Sequence, residues 1–154
     1  MTINNTWAYR PKDRNFKSTD ALIRALIEVI SRGGNFLLDV GPQPDGIIQP
    51  EFVERLQAMG EWTKRNAAAI YGTTFGPLQG QAAYRTTSRG NNVFVFVMDS
   101  DAAEAVVGAL GRPVRQVKLL ATGKPLAFHP SGNGIRVPLD RALWEQGIPV
   151  LQVS

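Results

Sequence analysis

The chain has 154 residues, of which 44% are hydrophobic and 19% charged, enough apolar content for a packed core and too much for a disordered tail. Its formal net charge is +4, but the 17 basic residues are scattered singly, which speaks against a nucleic-acid footprint. The absence of cysteine excludes disulfides, a thiolate nucleophile and any sulfur-ligated metal site, and no apolar run approaches the roughly 20 residues that a membrane helix needs.

The first ten residues, MTINNTWAYR, lack a charged region followed by an apolar core, so an export signal is expected only upstream of Met1 and the compartment stays open. Ser18-Thr19-Asp20 offers helix-capping side chains. Leu22, Ile23, Leu26, Ile27 and Ile30 then recur at helical spacing, which predicts an amphipathic helix ending near Ser31-Arg32-Gly33. Asn35 to Val40 is a short apolar run bounded by Gly33-Gly34 and Gly41-Pro42, the pattern of a parallel strand covered on both faces. Pro44-Asp45-Gly46 reads as a turn, and Gln49-Pro50-Glu51 opens a helix, with proline where its missing N–H does no harm. The stripe Phe52, Leu56, Met59, Thr63, Ala67 and Ile70 carries that helix to Gly72.

From about Phe75 the texture changes to short β-rich segments punctuated by glycine and proline. Ala83 to Thr87 and Asn92 to Met98 flank Ser88-Arg89-Gly90-Asn91, a hairpin signal. Further strands are expected over Val114 to Leu120, Leu126 to His129, Gly134 to Val137 and Val150 to Val153. The fold class is therefore α/β followed by all-β, with a boundary that assigns 1–74 to an α/β arm and 75–154 to a small antiparallel β-sandwich.

Few constellations offer chemistry. His129 is the one histidine and has no His or Cys companions, so it reads as structural or surface, and no histidine-based metal site is expected. The Arg32-Gly33-Gly34-Asn35 stretch precedes its strand and is no phosphate loop. Asp39 sits at the C-terminal end of its expected strand. It has two readings: a carboxylate that caps the Gly41-Pro42 turn or accepts backbone N–H bonds, or a direct ligand contact. Trp7 and Tyr9 are either core aromatics or a stacking surface beside the polar Asn4 and Asn5. Trp62 and Trp144 read as packing residues.

Thr6-Trp7-Ala8-Tyr9-Arg10-Pro11, Gly33-Gly34-Asn35 through Pro42, Asp45-Gly46, Gly60-Glu61-Trp62 and Ala69-Ile70-Tyr71-Gly72-Thr73 occur in an order and spacing that resembles the α-L-fucosidases of glycoside hydrolase family 29. Tyr84-Arg85-Thr86-Thr87 and Leu119-Leu120-Ala121-Thr122-Gly123 also look like that family's C-terminal domain. Ala8 replaces the middle glycine of the family's W-G-Y motif, and Asp39 stands where the family usually has asparagine. The resemblance implies the last two β/α units of a (β/α)8-like catalytic barrel over 1–74, followed by the sandwich. It also implies hydrolysis of terminal α-L-fucosyl linkages with retention, on fucosylated glycans or glycosides, without metal or organic cofactor. The family's catalytic Asp and Glu are expected upstream of Met1, so the chain alone is expected to be inactive and to need the missing N-terminal barrel region. Trp7, Tyr9 and Asp39 become the expected substrate-binding residues, since aromatic rings stack on the apolar faces of sugars. A rival reading makes the sandwich a non-catalytic carbohydrate-binding or scaffold module, with Tyr84 and Phe128 as its aromatic platform.

Overall fold

The computed structural model describes residues 1–78, 83–108 and 110–154. Helix α1 spans Thr19–Ile30, and the Ser18 side chain accepts the N–H of Ala21, satisfying one of the free donors of the first turn. Its Leu22, Ile23, Leu26 and Ile27 are buried on one face. Helix α2 spans Pro50–Arg65, with Glu51 in its first turn and Lys64 and Arg65 in its last, the signs that the helix dipole favours at each end. The apolar stripe predicts helix as far as Ile70. The α-helix instead stops at Asn66, whose side-chain amide donates to the carbonyl of Trp62, and the chain tightens into a 3-10 turn over Ala67–Ala69.

Among the described residues eight strands follow, all paired antiparallel: β1 Thr74–Phe75, β2 Tyr84–Arg89, β3 Asn92–Val97, β4 Glu104–Val107, β5 Val117–Leu119, β6 His129–Ser131, β7 Gly134–Pro138 and β8 Val150–Val153. They form a five-stranded sheet in the order β1-β2-β3-β8-β5 and a three-stranded sheet in the order β4-β7-β6. Two hairpins are closed by two-residue turns, Arg89↔Asn92 and Ser131↔Gly134. Each places a glycine first in the turn, Gly90 at φ 55° and Gly132 at φ 56°, a backbone conformation that other residues rarely adopt.

The sandwich core lies between the sheets. Val93, Val95 and Val97 of β3 point inward with Leu151 and Val153, and meet Ala105, Val107, Ile135 and Val137 of the smaller sheet. The intervening Phe94 and Phe96 point the other way. Together with Ile148 and Val150 they pack against Leu22, Ile23, Leu26 and Ile27 of α1 and Met59 and Trp62 of α2. The two helices thus form a third layer on the outer face of the larger sheet. This explains the unbroken apolar sequence of β3, whose residues from Val93 to Val97 are all at most 6% exposed: both of its faces are covered. The layer is tied down by polar links as well. Arg85 of β2 pairs with Glu28 of α1 at 2.6 Å, Arg24 donates to the Met98 carbonyl at 2.6 Å, and the buried Thr87 hydroxyl donates to the carbonyl of Ala69 at 2.7 Å.

The stretch from Asn35 to Val40 departs from expectation. It makes no ladder but a single parallel bridge, Thr2↔Asp39, and Leu37 is 72% exposed. The direction agrees with the parallel strand that the sequence predicts; the covering on both faces does not. A ladder needs consecutive residues paired with a neighbouring strand, and among the described residues the segment at Met1–Ile3 supplies only the one bridge at Asp39. Among the described residues no helix is long and apolar enough to cross a membrane.

Candidate functional site

Two segments running in the same direction build the candidate site. Asp39 donates its N–H to the Met1 carbonyl at 2.8 Å and its carbonyl accepts the N–H of Ile3 at 3.4 Å. Ile3 is fully buried, and its own carbonyl accepts the N–H of Lys17 at 2.8 Å. Further along, the backbone of Ala8-Tyr9 crosses Gly41 so closely that a Cβ at position 41 would lie 2.6 Å from the Tyr9 nitrogen. Only glycine permits that approach. The two segments therefore meet at Asp39 and again at Gly41, with Trp7 just before the second meeting and Asp39 at the first.

The expected residues differ in exposure. The Trp7 indole is 67% exposed, so it is no core aromatic, and Tyr9 and Asp39 are half-buried. Among the described residues no group donates a hydrogen bond to the Asp39 carboxylate, which is therefore not occupied as a turn cap. After Gly41 the chain turns sharply: Gly46 donates to the Gln43 carbonyl at 2.8 Å, and the Asp45 side chain accepts the N–H of Ile47 at 3.1 Å. Asp45 thus has a local role in the turn. Glu51 is engaged with Arg14 at 3.1 Å.

The loop that carries Trp7 is held by a set of contacts that the sequence does not reveal. The ammonium of Lys17 donates to the Asn4 carbonyl at 2.8 Å, as does the Thr2 hydroxyl at 2.6 Å, and the Asp13 carboxylate accepts the N–H of Asn5 at 3.1 Å. Asn4 is 2% exposed; its amide donates to the Thr6 hydroxyl at 3.2 Å, and that hydroxyl donates to the Ala8 carbonyl at 2.8 Å. No periodicity marks such contacts. Nothing in the sequence singles out Asp13 or Lys17.

Other candidates fall away from this site. His129 is exposed in β6 and lies in the sandwich. Tyr84 is 7% exposed, donating its hydroxyl to the Glu104 carbonyl at 3.1 Å and accepting the N–H of Val106 at 3.2 Å, while Phe128 packs on the sandwich core. Neither offers a flat, open platform. A cleft of about 500 Å3 lined by Gly33, Asn35, Phe36, Tyr71 and Thr73 opens at the beginning of the second segment, the opposite end from Gly41.

Comparison with known proteins agrees with the motifs. The alpha-L-fucosidase family model matches residues 1–68. An alpha-L-fucosidase of Branchiostoma floridae is 34% identical over 153 residues, covering 92% of this chain and 34% of the relative. Alpha-L-fucosidase isoenzyme 1 of Paenibacillus thiaminolyticus superposes with a TM-score of 0.90 at 27% identity, over 100% of this chain and 38% of that one. A GH29 alpha-L-fucosidase of Bacteroides thetaiotaomicron, trapped as a covalent intermediate with 2-fluoro-fucosyl fluoride, gives 0.87 at 26% identity over 100% and 37%. The chain spans about a third of the length of the curated relatives it matches. With motifs, family match and whole-chain superposition in agreement, it belongs to the alpha-L-fucosidase family.

Proposed function

We propose that this chain is the C-terminal portion of a retaining α-L-fucosidase that hydrolyses terminal α-L-fucosyl linkages of glycans or glycosides. In this reading residues 1–74 are the last two β/α units of the catalytic barrel, and residues 75–154 are the C-terminal sandwich. The observation that carries it is the parallel bridge of Thr2 to Asp39 followed by the crossing of Ala8-Tyr9 over Gly41, which in this reading lies at the end of the barrel strands where such enzymes carry their chemistry. The family match over residues 1–68 covers both segments.

Retaining hydrolysis needs two carboxyl groups flanking the scissile bond, one as nucleophile and one as acid and base. The covalent intermediate trapped in the Bacteroides relative supports that route. Among the described residues Asp39 is the one carboxylate on the two site segments, and in this reading the catalytic pair belongs to the part of the parent that the chain does not span. Trp7 supplies an open ring for the apolar face of the sugar, including the methyl group of fucose, with Tyr9 beside it. The Asp39 carboxylate is free to accept hydrogen bonds from sugar hydroxyls. Leu37, exposed beside the unpaired edge of its segment, is the contact for the missing barrel region.

The reading is tested by incubating the purified chain with an aryl α-L-fucoside, alone and after fusion to the barrel portion of a relative. No turnover by the chain alone and turnover by the fusion are expected. Turnover by the chain alone that is abolished by substituting Asp39 would overturn the assignment of the catalytic pair to missing sequence.

A further inference from the structure

The Lys17 ammonium and the Asp13 carboxylate grip the two sides of one peptide unit. Lys17 donates to the carbonyl of Asn4 at 2.8 Å, and Asp13 accepts the N–H of Asn5 at 3.1 Å, so the Asn4–Asn5 peptide is held at its oxygen and at its hydrogen by opposite charges. Charge-assisted bonds of this kind are roughly twice as strong as neutral ones. The clamp is itself anchored. The other oxygen of Asp13 accepts the N–H of Asn15 at 3.0 Å, the Asp13 N–H donates to the Arg10 carbonyl at 3.0 Å, and Arg55 of α2 donates to the Lys17 carbonyl at 2.8 Å.

From the clamped peptide a chain of contacts runs to the rim. Buried Asn4 donates to Thr6, Thr6 donates to Ala8, and Ala8-Tyr9 rests on Gly41. Trp7 lies inside this run and is 67% exposed, so little of its ring is held by neighbouring side chains. Its direction is therefore set by the backbone on either side. We propose that Asp13 and Lys17 are positioning residues that act as one device, orienting the Asn4–Asn5 peptide and through it the Trp7–Tyr9 rim; the functional weight of this rests on the proposed role of that rim in sugar binding. Neither side chain need touch the sugar. A site that must hold a ligand to within about half an ångström needs its contact residues locked by such supporting contacts.

The test is backbone 15N relaxation of the 154-residue chain and of the variants Asp13→Asn, Lys17→Met and the double variant, with thermal melting recorded alongside. Order parameters for Asn5 to Tyr9 are expected to fall from near 0.85 to below about 0.6 in each single variant, while those of α2 stay unchanged. Because both groups hold one peptide, the double variant should loosen the loop no further than the worse single variant. A loop that stays rigid in both single variants, or loosening that adds in the double, overturns the proposal. If Asp13→Asn does not fold, Lys17→Met alone decides by the same loop readout. The outcome is independent of enzyme activity: a loosened loop with a Trp7 that proves irrelevant to turnover would sink the fucosidase role of the rim and leave the clamp standing.

Discussion

Trp62 of α2 donates its indole N–H to the carbonyl of Ile148 at 3.0 Å, a buried hydrogen bond between residues 86 apart in sequence. Gly147 lies against the same ring, where a Cβ would come within 3.1 Å of it, and Phe96 of β3 faces it at a ring-centre distance of 6.4 Å. One side chain therefore joins the helical layer to the loop that leads into β8. An indole that is 2% exposed fills space and satisfies a carbonyl that water cannot reach.

Trp62→Phe keeps most of the ring and removes the donor. The Ile148 carbonyl is then left buried without its partner, and a loss of about 1–3 kcal/mol in unfolding free energy is expected. Urea denaturation checks this. A loss below about 0.5 kcal/mol would mean that water replaces the indole and that the link is not structural.

Gly41→Ala tests the crossing of the two site segments. The new methyl would sit 2.6 Å from the Tyr9 nitrogen and 2.8 Å from the Ala8 carbonyl carbon, both backbone atoms with no rotamer to give way. Overpacking of this kind costs about 1–3 kcal/mol. Chemical-shift changes should concentrate on Ala8 and Tyr9, and a variant as stable as the parent, with an unchanged spectrum there, would contradict the close approach.

How much of this was legible in the sequence depends on whether a signal is local. The Ser18 cap, the proline start of α2, the β2–β3 hairpin and β8 all follow from neighbouring residues, and each stands where the sequence puts it. Three features did not. Strand β4 is four residues, Glu-Ala-Val-Val, too short to show alternation, and exists because it pairs with β7. The strand expected over Leu126 to His129 appears as His129–Ser131, carrying Pro130 on the sheet edge, where a missing N–H is tolerated. The apolar Asn35–Val40 run encodes a demand for burial that a single parallel neighbour does not meet, which leaves Leu37 open. At the site, aromatic residue type singled out Trp7 and Tyr9, and the carboxylate at a strand end singled out Asp39. Their supports at Asp13, Lys17 and Gly41 are contacts across eight to thirty-odd residues, which no pattern in a single sequence announces.

The three layers also predict a gradient of local stability. β3 is paired on both edges, by β2 and β8, and covered on both faces, whereas α1 is covered on one face only. Amide hydrogen exchange should therefore be slowest at Val93 to Val97 and faster over Leu22 to Ile30, because α1 can detach without unpairing the sheet. Greater protection in α1 of a monomeric sample would mean that the sandwich does not fold as the more independent unit.

Trp7 separates function from folding. Its ring is 67% exposed, so Trp7→Ala in the chain itself should change stability by less than about 0.5 kcal/mol, as for other surface sites without special contacts. In an active fusion with the catalytic barrel portion, the same substitution removes the proposed stacking surface for the sugar. There kcat/KM is expected to fall about tenfold or more, equivalent to about 1.4 kcal/mol of lost transition-state binding. Trp62→Phe, measured in the same fusion below its melting range, should leave kcat/KM within about twofold, since Trp62 faces the sandwich and not the rim. Full activity of the Trp7→Ala fusion would remove Trp7 from the fucose pocket. A collapse of its melting temperature, with the folded remainder fully active, would make Trp7 a packing residue whose partner lies in the barrel.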